Sequence, residues 1–133
     1  MSLARIFPIF FVLVLAFALS ACSERSPDSV VKAFYVAIEK GSAKDAAEQI
    51  SFVNVPDAQM EQANGKLQMI VGEMRGRINN NKGLDDVEII ENRLSDDGKS
   101  SAVQVKLLFN NGKSITENLR LVKGDDGWKI LWQ

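Results

Sequence analysis

Residues 101–122, "SAVQVKLLFNNGKSITENLRLV", decide the fold. Val103, Val105, Leu107 and Phe109 recur at every second position, the period of a strand with one buried face. Asn111-Gly112 is a strong signal for a two-residue hairpin turn. Beyond it the alternation resumes, with Ile115, Leu119 and Leu121 on one face and Glu117 among them. Upstream, "VEIIENRL" (87–94) reads as a further strand; downstream, "GDDG" (124–127) turns the chain into "WKILWQ", where Trp128, Ile130 and Trp132 share a face. Four consecutive strands joined by tight turns predict an antiparallel meander.

Ahead of the strands the period changes to that of a helix. In "SPDSVVKAFYVAIEKG" (26–41), Ser26 can cap, Pro27 suits the first helical position, Asp28 favours the positive end, and Gly41 can terminate. Val30, Ala33, Phe34, Ala37 and Ile38 fall on one arc, with Lys32, Glu39 and Lys40 opposite. Tyr35, the only tyrosine, sits at the edge of that arc and is expected at the boundary with its hydroxyl in water. "SAKDAAEQI" (42–50) predicts a short second helix capped by Ser42. A third runs from about Asp57 to Ile78, its core stripe formed by Met60, Ala63, Leu67, Ile70, Val71, Met74 and Ile78. Gly65, Gly72 and Gly76 lie almost opposite that stripe. They read either as tolerated exposed glycines or as a contact face for another backbone, and the first reading is preferred. Helices first and strands after imply an α+β domain, its N-terminal helices packed on a curved four-stranded antiparallel sheet.

With 133 residues there is room for one good core. Sixteen basic and 17 acidic side chains are in near balance, with no basic cluster, which argues against nucleic acid as a partner. The chain has no histidine and one cysteine, so the commonest general base, most zinc sites and any internal disulfide are excluded. No catalytic group, metal site or cofactor is expected. The doublets Asp85-Asp86, Asp96-Asp97 and Asp125-Asp126 border glycine-containing turns and lack the alternating oxygen ligands of a calcium loop.

The lone cysteine, Cys22, follows an apolar run, Ile6–Ala18, in a segment whose only charge before Glu24 is Arg5. That run is too short for a comfortable bilayer crossing and typical of a signal-peptide core. Leu19, Ser20, Ala21 and Cys22 resemble the lipobox of bacterial lipoproteins. The resemblance implies cleavage before Cys22, diacylglycerol on its thiol and acylation of its new amine, the two or more chains that stable anchoring needs. Residues 1–21 are then a signal peptide, 22–26 the lipidated cysteine and a short spacer, and 27–133 a single α+β domain. The expected location is a bacterial envelope membrane, facing the periplasm. Ser23 in place of aspartate favours the outer membrane over the inner by resemblance to the enterobacterial sorting rule.

Two segments, "SPDSVVKAFYVAIEKGSAKDAA" (26–47) and "NGKSITENLRLVKGDDGWKI" (111–130), resemble bacterial lipoproteins of the domain of unknown function 4878 family. The fold implied is nuclear transport factor 2-like, a cone formed by a curved sheet on helices. In steroid isomerase relatives of that fold a first-helix tyrosine helps hold an oxyanion; here Phe34 takes the comparable place. The primary expectation is a non-enzymatic lipoprotein, attached to the membrane through Cys22, that binds an unknown envelope protein or cell-wall component. The alternative is a carrier of a small apolar molecule or lipid in a cone pocket lined by Phe34, Leu107, Phe109 and Trp128. An enzyme using Glu117, a carboxylate on an otherwise apolar strand face, ranks third. Glu88 and Glu91 are weaker candidates than Glu117.

Overall fold

The computed structural model describes residues 25–133, so the lipobox Leu19–Cys22 and the signal peptide lie outside the described residues. Helix α1 (Pro27–Lys40) begins as its sequence signals: the Ser29 N–H donates to Ser26 Oγ at 3.2 Å, and Gly41 ends it at φ 73°. Its buried side is broader than the predicted arc, because Val31 and Tyr35 are buried along with Val30, Phe34, Ala37 and Ile38. The helix touches α2 and α3 as well as the sheet, which closes over both flanks. Tyr35 is fully buried (0% exposed), which corrects the expectation of a wet boundary hydroxyl.

Helix α2 (Ala43–Glu48) is capped by Ser42, whose Oγ accepts from the Asp45 N–H. Strand β1 (Ile50–Ser51) follows, then a 3-10 turn (Asp57–Gln59) leading into α3 (Met60–Asn80). Helix α3 buries only Ala63, Leu67, Val71 and Ile78, a narrower seam than the predicted stripe. Ile70 is 36% exposed, and Met60 and Met74 are half-buried. A Cβ at Gly65, Gly72 or Gly76 would meet nothing within 4 Å, so this side of α3 faces open space in the monomer.

Strands β2 (Leu84–Leu94), β3 (Ser100–Phe109), β4 (Ser114–Gly124) and β5 (Gly127–Leu131) form the expected antiparallel meander. The sheet nevertheless has five strands, in the order β1-β5-β4-β3-β2, because β1 pairs parallel to β5 (Ile50 with Ile130, Ser51 with Leu131). The sheet is therefore mixed. A two-residue strand carries no period, which is why the sequence does not announce it. The β3–β4 turn also differs from prediction. Phe109 N–H donates to Lys113 C=O and Gly112 N–H to Phe109 C=O, leaving a three-residue loop, Asn110–Gly112, with Gly112 at φ 86°. Val103, Val105, Leu107 and Phe109 pack inward against α1 and form the centre of the core with Leu121 and Ile130. Among the described residues no helix is long and apolar enough to cross a membrane.

Candidate functional site

Strand β5 stays beside β4 only from Gly127 to Ile130, opposite Gly124 to Leu121. It then leaves. Trp132 N–H donates to Ser51 C=O at 3.1 Å, and the Trp132 ring packs on Phe52 with centroids 5.5 Å apart. Following β1 in this way draws the end of β5 off β4, and residues 114–120 of β4 have no paired strand residue on that side. The split opens as a cleft of about 260 Å³ bounded by α3, the end of β5 and the free part of β4. Phe34, Leu67, Ile70, Leu119 and Ile130 supply its apolar surface, while Lys66, Glu117, Asn118 and Arg120 supply polar groups. A broader, more polar hollow of about 560 Å³ adjoins it, sharing Lys66, Leu131, Trp132 and Gln133 and bearing the amides of Asn54, Gln59 and Gln62. The Lys66 ammonium lies 6.0 Å from the Trp132 ring centroid, at the outer limit of a cation–π contact.

The cleft's one side-chain carboxylate is held from behind. Strict alternation along β4 turns Glu117 inward, opposite the buried Val105, as its sequence position implies. There the Tyr35 hydroxyl donates to Glu117 Oε2 at 2.6 Å, within the short range of bonds to an ionised acceptor. Burial pushes the Tyr35 phenol far above its ordinary pKa, and the adjacent Glu117 charge and hydrogen bond push it the same way. The phenol therefore stays neutral, and its proton stays on the bond to Glu117. The ring is fixed as well, edge-on to Phe34 at 5.3 Å between centroids. Chemically this is a carboxylate with one oxygen engaged, set in an apolar cleft with two cationic side chains nearby.

Of the residues predicted to line a pocket, Phe34 and Glu117 do line this cleft. Leu107 and Phe109 do not: they are 0% and 3% exposed, packed where a hollow cone interior was expected. Trp128 pairs with Lys123 and packs, half-buried, against the core away from the cleft. The sequence does not mark Leu67, Ile70, Trp132 and Lys66 as site residues, since nothing in their helical or strand period shows the point where β5 parts from β4. Gly65, Gly72 and Gly76 are remote from these side chains in role: none of them lines the cleft.

The family model described as "Domain of unknown function (DUF4878)" matches residues 20–131. The chain belongs to that family. A DUF4878 domain with this architecture has the NTF2-like fold. The structure of a Campylobacter jejuni protein provisionally named an NTF2-like transpeptidase is similar over 82% of this chain and 100% of its own, with a TM-score of 0.75 at 24% identity. The intermembrane-space region of the chloroplast protein ARC6 overlaps 79% of the chain and 89% of its own, with a TM-score of 0.44 and 13% identity. No curated protein matches the chain.

Proposed function

We propose that this DUF4878 protein is a lipoprotein of a bacterial envelope, held to its membrane through Cys22, whose domain binds a ligand in the β4–β5 cleft without transforming it. The observation that carries the binding reading is the split itself. It leaves the exposed Ile70, backed by the buried Phe34 and Leu67, along a cleft beside a carboxylate that Tyr35 holds in one orientation. A few fixed polar groups on an apolar wall are the usual composition of a ligand site. The packed interior around Leu107 and Phe109 favours this surface cleft over a deep carrier cavity.

Anchoring is tested by Cys22→Ser, which is expected to accumulate as a larger, uncleaved precursor; normal processing would sink the lipoprotein reading. Binding is tested by native mass spectrometry of residues 23–133 exported to a periplasm. The expected result is an adduct that unfolding releases and that Ile70→Lys lacks; bare protein in both cases contradicts it. Catalysis is the second reading, prompted by the name of the C. jejuni neighbour, and Glu117 would have to carry it. Under that reading Glu117→Gln abolishes turnover of a peptide substrate that the unaltered protein processes.

A further inference from the structure

We propose that the free edge of β4 receives an extended peptide segment of a partner protein, an apolar residue flanked by acidic ones, which adds a strand where β5 leaves the sheet. This rests on reading the cleft as the binding site and names the class of ligand.

The direction of the backbone groups carries the inference. Ile130 N–H donates to Gln49 C=O at 2.8 Å and Trp132 N–H to Ser51 C=O, so the even-numbered residues at the end of β5 point toward β1. Alternation then turns Lys129 toward β4, and its partner Val122 faces back at it. Lys123 N–H donates the other way, to Lys99 C=O at 2.8 Å. Asn118 and Arg120 share the orientation of Val122, so both N–H groups and the Asn118 C=O aim into the split. No hydrogen bond among the described residues reaches those two N–H groups. Outward-facing ladder groups of this kind are a template for strand addition.

The opposite edge of the sheet is guarded. Strand β2 carries register breaks between Leu84 and Asp86 and between Ile89 and Glu91, with charged Glu88, Glu91 and Arg93 along it. Irregularity and charge of this sort blunt an edge against pairing. The β4 edge has no bulge.

The side chains around the split specify the occupant. An inward-pointing residue of the added strand would lie beside Leu119 and against Leu67 and Ile70, an apolar setting. Its outward-pointing neighbours would stand beside Asn118 and Arg120, with Lys66 at the β5 end of the cleft. Glu117 is the one acidic side chain there, and Tyr35 already occupies one of its oxygens. Arg120 on the outer face, Lys66 at the end of the cleft and apolar groups within select a peptide whose apolar residue is bracketed by Asp or Glu.

The test is to pan a displayed random heptapeptide library against the full chain in detergent and measure the enriched peptides by fluorescence polarisation. Enrichment of an apolar residue between acids is expected. Asn118→Pro removes an N–H that lies outside the β3–β4 ladder, as edge positions tolerate. It should weaken binding by about tenfold or more, while Asn118→Ala stays within about twofold. If the proline variant does not fold, the labelled unaltered chain decides: the Asn118 and Arg120 amides must become protected from exchange when peptide is added. No enrichment, or binding that neither the proline nor those amides register, overturns the proposal. Binding lost in Ile70→Lys but unaffected by Asn118→Pro overturns strand addition while the cleft reading stands; binding indifferent to both overturns both. A peptide-free dimer dissolved by Asn118→Pro assigns the edge to a second copy and overturns the partner peptide.

Discussion

Replacing Tyr35 with phenylalanine removes one oxygen and leaves the buried ring, with its edge-on contact to Phe34, in place. What is lost is the 2.6 Å bond to Glu117 Oε2. A hydrogen bond to a charged acceptor is worth ~1.5–3 kcal/mol. Glu117 is half-buried and opens on the cleft, so water recovers part of its solvation and the low end, ~1.5 kcal/mol, is the expected cost. For a domain of about 100 residues this corresponds to a fall of roughly 6 °C in Tm. Urea melts at pH 7 on Tyr35→Phe, Glu117→Gln and the double variant close a cycle that isolates the pair from each residue's other contacts. A Tyr35→Phe protein as stable as the parent, or more stable, refutes the reasoning. It would mean that burying the hydroxyl costs as much as its bond returns.

The same phenol sets a pH limit. Its pKa is raised in the fold, so its contribution is fully present below the ordinary tyrosine value of about 10 and is lost as pH rises beyond it. Stability relative to Tyr35→Phe should fall above about pH 10 with a slope that steepens toward ~1.4 kcal/mol per pH unit by about pH 11.5, and parallel pH profiles for the two proteins would contradict this. Gly72→Ala, whose Cβ meets open space, should stabilise α3 by up to ~1 kcal/mol in thermal melts; destabilisation would point to a hidden contact on the glycine face. Gly41→Ala should destabilise by more than ~1 kcal/mol in the same assay, since φ is 73° there and the new Cβ would sit 2.5 Å from Arg75 Nη1. A neutral result would show that α1 can end in another way.

Much of the frame is legible from short-range chemistry. Ser26, Pro27 and Gly41 bound α1 because capping is decided within a turn of the chain. The alternation through Val103–Phe109 and Ile115–Leu121 sets which faces are buried, because a strand's period is a local property. The site is another matter. Tyr35 and Glu117 each stand out in the sequence, but they meet across 82 positions, and no local pattern announces that meeting. Tyr35 reads as a boundary residue in the sequence because one helix alone has one buried face, whereas α1 is covered by both helices and sheet. The cleft arises from two backbone bonds that carry β5 to β1, and "WKILWQ" reads the same whether the strand stays or leaves.

Residue-resolved amide exchange of the ligand-free protein tests the open β4 edge most directly. The expected pattern alternates: Glu117, Leu119 and Leu121 protected through β3, Val122 protected through β5, and Asn118 and Arg120 exchanging at nearly free-chain rates. Uniform protection from 117 to 122 would mean that the edge is already covered, and the β4–β5 cleft could not be the binding surface.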